Sequence, residues 1–378
     1  MRVLLTGGGT GGHAYPALAI ARALRDLQPE VELLYAGTRR GVEASLAARE
    51  GIPFRAIRAR GLYGKSFGDR VRGVGELVVG LAQAWRLVRE YRPAVVVGTG
   101  GYASAPIVAA AALARVPVLL QEQNAFPGRA NRLLARWAGA VGVPYPQTAR
   151  GFPRRARCVV TGNPVRPEVT GITRQEGARV LELHPDRPTV YAFGGSLGAR
   201  RLNLALLGAL PRLLERPGLQ VIWSTGPGQR EEMLAGLAAA GVDPRRPGLL
   251  VFDYLHDAPA ALAAADLVVS RGGGVTLAEI TARGIPAIIV PSPNVAHDEQ
   301  THNAGILEAG GAARLIPEAV LDGPRLAGEI QALLDDAARR RAMAAASRAL
   351  GRPDAAERLA RLALELAGTY VTPRRGGS

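Results

Sequence analysis

Val3-Leu4-Leu5-Thr6-Gly7-Gly8-Gly9-Thr10-Gly11-Gly12-His13 is the stretch on which the fold turns. A short apolar run breaks into glycines and then opens a helical pattern over 16–27. Strand, glycine turn and helix start place bare backbone N–H groups at one spot, which is how a chain builds an anion site. Only glycine lets the main chain come this close to a ligand. His13, the first functional side chain past the glycines, is expected to face the same crevice, so the site has a cradle and a base. Gly7, Gly9 and Gly12 also satisfy GxGxxG, as a nicotinamide enzyme would. A dinucleotide site wants an acid at the end of the second strand. That strand instead runs into Gly37-Thr38-Arg39-Arg40, with Glu32 at its wrong end, and only an NADP variant through Arg39 survives.

The chain has 378 residues, 48% of them hydrophobic, enough for two domains with a core each. Cys158 is the single cysteine, which excludes an internal disulfide framework and suits a reducing compartment. Met1-Arg2 leads into only a brief apolar run, so no secretory leader is expected. The longest uncharged window, 94–114, contains Gly98, Gly100, Gly101 and Pro106, and suits strand, glycine loop and helix better than a membrane span.

The net charge of +15 is uneven: residues 1–165 carry 23 basic and 9 acidic side chains, a net of +14, whereas 166–378 carry 24 and 23, a net of +1. The first half therefore seeks an anionic partner. Its basic residues are not interleaved with aromatics in a nucleic-acid pattern, so no nucleic acid is expected. An anionic membrane surface is the other candidate, and a solvated arginine-rich surface the plain one, since 46 of the 47 basic residues are arginine.

Strands and helices alternate along the chain, which predicts parallel sheets covered on both faces. Strands are expected at 2–6, 31–36, 53–58, 94–97, 117–120 and 157–160, with helices at 16–27, 41–50, 74–90, 104–114 and 129–136. The pattern then restarts: strand 189–193, the glycine turn Gly194-Gly195-Ser196-Leu197-Gly198-Ala199, and helix 202–214. Further strands at 219–223, 249–252, 267–270 and 287–290 alternate with helices at 230–240, 258–264, 275–282, 302–309 and 325–336. An alanine-rich helical tail follows from about 338, broken at Gly351-Arg352-Pro353-Asp354, with 372–378 disordered. Two Rossmann-like halves joined near 161–166 would bind ligands in a cleft at the carboxyl ends of their strands.

Several motifs carry chemistry. Gly194 to Gly198 spells GxSxG, for which Asp266 and His297 could complete a hydrolase triad; as a repeat of the first glycine loop, it instead makes Ser196 a diphosphate ligand. In Arg271-Gly272-Gly273-Gly274-Val275-Thr276-Leu277-Ala278-Glu279, the helix-start amides suit a phosphate, and Glu279 either accepts from a ribose diol or complements the helix dipole. Asp298-Glu299-Gln300 suits vicinal sugar hydroxyls or ordinary capping. His297 and His302 have the wrong spacing for one helix face, so no metal is expected and Arg166 is the best placed cation for a leaving diphosphate. Val74, Leu77, Val78, Leu81 and Trp85, flanked by Arg70, Arg72, Arg86 and Arg89, form an apolar stripe that is either core or membrane-seated.

The blocks GGGTGGHAYPALAIA (7–21), GTGGYASAP (98–106), QEQNAFPGRAN (121–131), GNPVR (162–166), FGGSLGARRLN (193–203), RGGGVTLAE (271–279) and the run 298–304 together closely resemble the MurG family of glycosyltransferases. The resemblance spans nearly the whole chain, in order. It implies a GT-B fold: an acceptor and membrane-facing domain over 1–161, a UDP-sugar domain over 162–344, and a C-terminal helix within 345–368 packing back on the first. It also implies inverting transfer of N-acetylglucosamine from UDP-N-acetylglucosamine to the 4-hydroxyl of the muramyl sugar of lipid I, giving lipid II, at the cytoplasmic face of the membrane, with no further cofactor.

By motif match Arg166 and Ser196 would hold the diphosphate with the Gly274-Val275-Thr276 amides, the backbone near Leu255 the uracil, Glu279 the ribose, and Gln300 with Glu299 the sugar hydroxyls. Thr10, Gly11, Gly12 and Asn124 would face the transferred sugar. His13, as base, and Tyr102 would lie by the acceptor with Asn124, and Leu77, Val78, Leu81 and Trp85 would rest on the membrane. Gln121 stands where many members carry histidine. A UDP-sugar epimerase of the same fold, or a non-catalytic sugar-nucleotide-binding protein, are the alternatives.

Overall fold

The computed structural model describes residues 1–9, 11–39, 41–59 and 67–368, with the backbone alone for 67–74, 77 and 296. Thr10, the side chains of Val74 and Leu77, and the tail 372–378 lie outside the described residues. Two units emerge: Met1–Val165 together with the chain from Asp354 onward, and Arg166–Pro353.

In the first unit, seven strands run in parallel: β1 (Arg2–Thr6), β2 (Glu32–Gly37), β3 (Phe54–Ala56), β4 (Val95–Gly98), β5 (Val118–Gln121), β6 (Ala140–Val143) and β7 (Cys158–Val160). Their order is β3-β2-β1-β4-β5-β6-β7. Every residue of β4, β5 and β6 is buried, as a sheet covered on both faces demands. Strand β6 was not expected: Ala-Val-Gly-Val is too short and too small in side chains to stand out.

One face of this sheet packs on the helices Gly11–Leu27 and Ala355–Leu366, the other on Phe67–Tyr91, Ala105–Leu113 and Arg129–Leu134. The last helix buries Leu359, Ala360, Leu362 and Ala363 in the first unit's core, and Arg157 pairs with Glu365 at 2.8 Å. Gly142 permits this close approach, because a Cβ there would sit 2.4 Å from Leu359 Cδ2. The tail divides at Gly351–Pro353: the helix Ala337–Leu350 stays with the second unit, so the break falls at 353/354 rather than 344/345.

The first helix begins at Gly11 and not at Pro16 as its pattern suggested, and Pro16 lies inside it. The cost is the one hydrogen bond that a proline cannot give to the carbonyl four residues back. The gain in geometry is that His13 sits in the helical first turn.

The second unit repeats the scheme with six parallel strands: β8 (Thr189–Phe193), β9 (Gln220–Ser224), β10 (Leu249–Phe252), β11 (Leu267–Ser270), β12 (Ala287–Ile289) and β13 (Ala313–Leu315), in the order β10-β9-β8-β11-β12-β13. The short β13 and the helices Pro167–Gly171 and Arg174–Val180 were also not expected. In each sheet the order reverses beside the first strand, between β1 and β4 and between β8 and β11. The loops leaving those strands, 7–9 with 99–104 and 194–199 with 271–273, are where an open sheet takes its ligands.

Candidate functional site

The first glycine loop is turned inward. Gly8 N donates to Gly100 O at 3.4 Å, and Gly9 N to Glu43 Oε2 at 3.4 Å. Glu43 is fully buried and also accepts from Thr38 N at 3.0 Å and Thr38 Oγ1 at 2.8 Å. A Cβ on Gly8 would lie 2.4 Å from Glu43 Oε1, so this glycine is needed for a protein carboxylate, not for a ligand. The expected anion cradle is therefore corrected at Gly8 and Gly9, since a phosphate placed there would meet an internal carboxylate. Nothing in the sequence marked Glu43, which lies on the separate helix Glu43–Arg49.

His13 is oriented by two acceptors: Nδ1 lies 3.1 Å from Thr99 O and 3.1 Å from Gln123 Oε1. Gln123 Nε2 donates to Thr99 O at 2.5 Å and to Gln121 Oε1, which fixes which end of that amide faces the ring. Both neighbours only accept, so Nδ1 carries a hydrogen, and of the two neutral tautomers this geometry selects the one whose lone pair is on Nε2. The left-handed Gly100 (φ +92) and Gly101 (φ +77) pass beneath the ring, where a Cβ at Gly101 would come within 3.1 Å of Cδ2. Tyr102 follows, 40% exposed, and lies over Gly9, whose Cβ would be 2.6 Å from Tyr102 Cε1. His13, Gly11, Gly12 and Tyr102 thus share one end of the sheet.

Asn124 joins them through a second buried carboxylate. Glu122 Oε1 accepts from the backbone N–H of Gln123 and of Asn124, both at 3.0 Å, and Oε2 from Gly128 N at 3.0 Å and Asn131 Nδ2 at 2.9 Å. Gln121 is buried and donates through Nε2 to Asn163 Oδ1 at 2.9 Å, a scaffolding contact. The polar run Gln-Glu-Gln-Asn straight after an apolar strand was the available signal for Glu122.

In the second unit the glycine turn opens outward. Gly195 (φ +85) and Gly198 (φ +74) shape it, and a Cβ at Gly198 would lie 2.3 Å from Thr225 O. Asn203 secures the neighbouring turn, donating to Thr225 O at 2.7 Å and accepting from Trp223 Nε1 at 3.0 Å. Ser196 is exposed, and among the described residues nothing accepts from the backbone N–H of Gly195, Ser196 or Leu197. The triad that GxSxG suggested does not form, because Asp266 pairs with Arg174 at 2.8 Å and accepts from Thr189 N at 2.8 Å. Thr189 starts β8 and Ser196 lies beyond its end, so the two groups lie at opposite ends of that strand.

Arg166 and Glu279 meet directly: Arg166 Nε donates to Oε1 at 2.8 Å and Nη2 to Oε2 at 3.3 Å. Tyr191 lies beside them, and burial together with the Glu279 charge pushes its phenol far above the ordinary range, keeping it neutral. Glu279 sits in the second turn of the helix Gly274–Arg283, whose cap, Gly273, supplies no side chain. Gly274, Val275 and Thr276 form that helix start.

Gln300 is partly committed to structure. Its Oε1 accepts from Gly272 N at 3.2 Å and Ser292 N at 2.9 Å, tying together the loops after β11 and β12 and leaving its Nε2 to donate. Glu299 opens the helix Glu299–Ala309 directly after His297 (φ 56) and Asp298 (φ 50), two left-handed residues that aim the helix start. Leu255 buries its side chain, beside the exposed Tyr254.

On the helix Phe67–Tyr91 the apolar stripe divides. Leu81 packs against the core and does not face outward, whereas Val78 is 64% and Trp85 41% exposed, with Arg89 over the indole at 5.8 Å. No helix among the described residues is long and apolar enough to cross a membrane. Among the same residues, no three His, Cys, Asp or Glu side chains gather as metal ligands.

Residues 3–143 match the glycosyltransferase family 28 N-terminal domain and 189–359 the family 28 C-terminal domain. The UDP-N-acetylglucosamine–N-acetylmuramyl-(pentapeptide) pyrophosphoryl-undecaprenol N-acetylglucosamine transferase of Symbiobacterium thermophilum is 45% identical over 361 residues, 96% of this chain and 95% of that protein. The crystal structure of Acinetobacter baumannii MurG superposes with a TM-score of 0.76 at 28% identity, covering 96% of this chain and 99% of that one. The UDP-GlcNAc 2-epimerase of Neisseria meningitidis, bound to UDP-GlcNAc, reaches a TM-score of 0.70 at 14% identity over 97% of this chain and 100% of that one, a likeness of fold alone.

Proposed function

From the premise that this chain belongs to glycosyltransferase family 28, in its MurG branch, we propose that it is an inverting N-acetylglucosaminyltransferase converting lipid I to lipid II. Its fold is GT-B: two Rossmann-like parallel-sheet domains. UDP-N-acetylglucosamine is the donor, and the 4-hydroxyl of the muramyl sugar of the undecaprenyl-linked acceptor is the nucleophile.

The observation that carries the proposal is the contrast between the two glycine turns. The second unit presents open amides at Gly195–Leu197, which suits a donor diphosphate; the first unit has spent its Gly8 and Gly9 amides internally and offers His13, which suits a neutral sugar hydroxyl. Arg166, Ser196 and the Gly274–Thr276 amides take the diphosphate, Glu279 the ribose diol, the Leu255 backbone the uracil, and Gln300 Nε2 with Glu299 the sugar hydroxyls. A guanidinium has more N–H donors than one carboxylate can use, so Arg166 can hold Glu279 and a phosphate oxygen together. Thr10, Gly11, Gly12 and Asn124 face the transferred sugar, and Tyr102 the acceptor.

The acceptor oxygen attacks the anomeric carbon opposite the departing UDP. Its proton passes to His13 Nε2, and the electron pair of the breaking C–O bond goes to the diphosphate. Arg166 and the turn amides meet that charge, the kind of preorganised stabilisation that contributes most to such steps. UDP is already a good leaving group, so no second carboxylate and no further cofactor enter the scheme. Val78 and Trp85, in the basic half of the chain, seat the enzyme peripherally on the anionic cytoplasmic leaflet.

Incubation with UDP-N-acetylglucosamine and a short-chain lipid I analogue tests this directly: UDP release with formation of the disaccharide product is expected. UDP-sugar isomerised without any acceptor would replace it with the epimerase alternative, and binding without UDP release would leave a sugar-nucleotide-binding protein.

A further inference from the structure

The first unit holds a cavity of about 680 Å³ walled by Arg129, Arg132, Arg136 and Arg150 with Phe126 and Phe152. Among the described residues no carboxylate lines it. Arg132 lies over the Phe126 ring at 5.9 Å, while the side chains of Arg136 and Arg150 have no hydrogen-bond or ion-pair partner among the described residues. Four exposed guanidiniums with no carboxylate among them repel one another, and a bound anion relieves that repulsion beyond what solvent screening does. Aromatic and apolar walls beside the cations favour an anion that carries a hydrocarbon chain.

We propose that this pocket seats the diphosphate of the lipid-linked acceptor, an inference that rests on the transferase function above. That diphosphate needs cations in the first unit, and the amides of Gly8 and Gly9 are already engaged. The pocket is adjacent in the chain to the residues assigned to the sugars: Phe126 follows Asn124 by two residues, at most about 7 Å of extended backbone. One carboxylate holds the two places together. Glu122 accepts from Asn124 N on one side and, on the other, from Gly128 N and Asn131 Nδ2, which set the helix Arg129–Leu134 with its two pocket arginines. Gly151 closes the far wall, because a Cβ there would be 2.6 Å from Pro127 Cδ.

A phosphate ester on a hydrocarbon chain is also what a bilayer phospholipid presents, so the test separates the two sources. Arg136→Gln, Arg150→Gln and the double variant are compared with wild type in three measurements: KM for a short-chain lipid I analogue and for UDP-N-acetylglucosamine, calorimetric binding of farnesyl diphosphate, and sedimentation with phosphatidylglycerol vesicles. The double variant is expected to raise the acceptor KM about tenfold or more and to weaken farnesyl diphosphate comparably, with the donor KM within about twofold. An unchanged acceptor KM overturns the assignment, and if vesicle binding alone is lost the pocket belongs to bilayer headgroups. A wild type that transfers no sugar, yet binds farnesyl diphosphate in a manner dependent on Arg136 and Arg150, would refute the transferase function and leave a diphosphate pocket.

Discussion

Arg166, the residue before the helix Pro167–Gly171, and Glu279, in the helix Gly274–Arg283, form a two-point ion pair at 2.8 and 3.3 Å, with side chains 26% and 12% exposed. Residues 113 positions apart, expected to serve the diphosphate and the ribose separately, are therefore one unit. Removing either partner takes away the charge that balances the other in a largely buried place.

Glu279→Ala is expected to raise the donor KM by about 10- to 100-fold, the size of losing charge-assisted hydrogen bonds, and to leave the acceptor KM little changed. Steady-state kinetics with varied UDP-N-acetylglucosamine checks this. An unaltered donor KM would remove Glu279 from the ribose.

His13→Ala should lower kcat by about 10²- to 10⁴-fold with a small effect on donor binding, as loss of a general base does. Gln123→Leu, which removes one of the two acceptors at Nδ1, should lower kcat by a smaller factor. If turnover survives His13→Ala, the proton goes elsewhere.

Glu43→Ala orphans the N–H and hydroxyl of Thr38 and the N–H of Gly9, a loss of about 2–4 kcal/mol. Thermal unfolding should show the midpoint of the first unit falling by roughly 5–10 °C, with the second unit's transition unmoved. Coincident shifts in both would show that Glu43 does not act locally.

Gly198→Ala forces a side chain into a left-handed backbone and against Thr225 O. The turn that presents Ser196 must open, so the donor KM should rise by about tenfold or more at a stability cost of about 1–3 kcal/mol. Isothermal titration with UDP reads the same loss without an acceptor.

Val78→Glu with Trp85→Ser should abolish sedimentation with anionic vesicles while the far-UV circular dichroism stays unchanged, because both side chains already face solvent. Retained vesicle binding would move the membrane contact away from this helix.

Much of the molecule was legible in one dimension. Two restarted βα patterns, each opening on a glycine turn, led to two parallel sheets with the turns at their switch points, because alternation and glycine punctuation act over a few residues of chain. Ser196 stands in the second glycine turn, His13 and Gln300 in the first turns of their helices, and Glu279 in the second turn of its own. Boundaries moved where local preference met tertiary contact: Pro16 was absorbed into a helix whose first turn carries His13, and Leu81 turned into the core although it shares a periodicity with Trp85.

Chain pattern alone determined all the strands but β6 and β13, the glycine turns and the residue types available for chemistry. Only the folded molecule decided which glycine turn spends its amides internally, that Arg166 and Glu279 are partners, and that Glu43 and Glu122 are buried anchors. Those outcomes depend on hydrogen bonds between segments distant in sequence, such as Gly9 with Glu43 and Arg166 with Glu279. A carboxylate's partners are set by where the backbone brings its donors, and residue spacing holds no record of that.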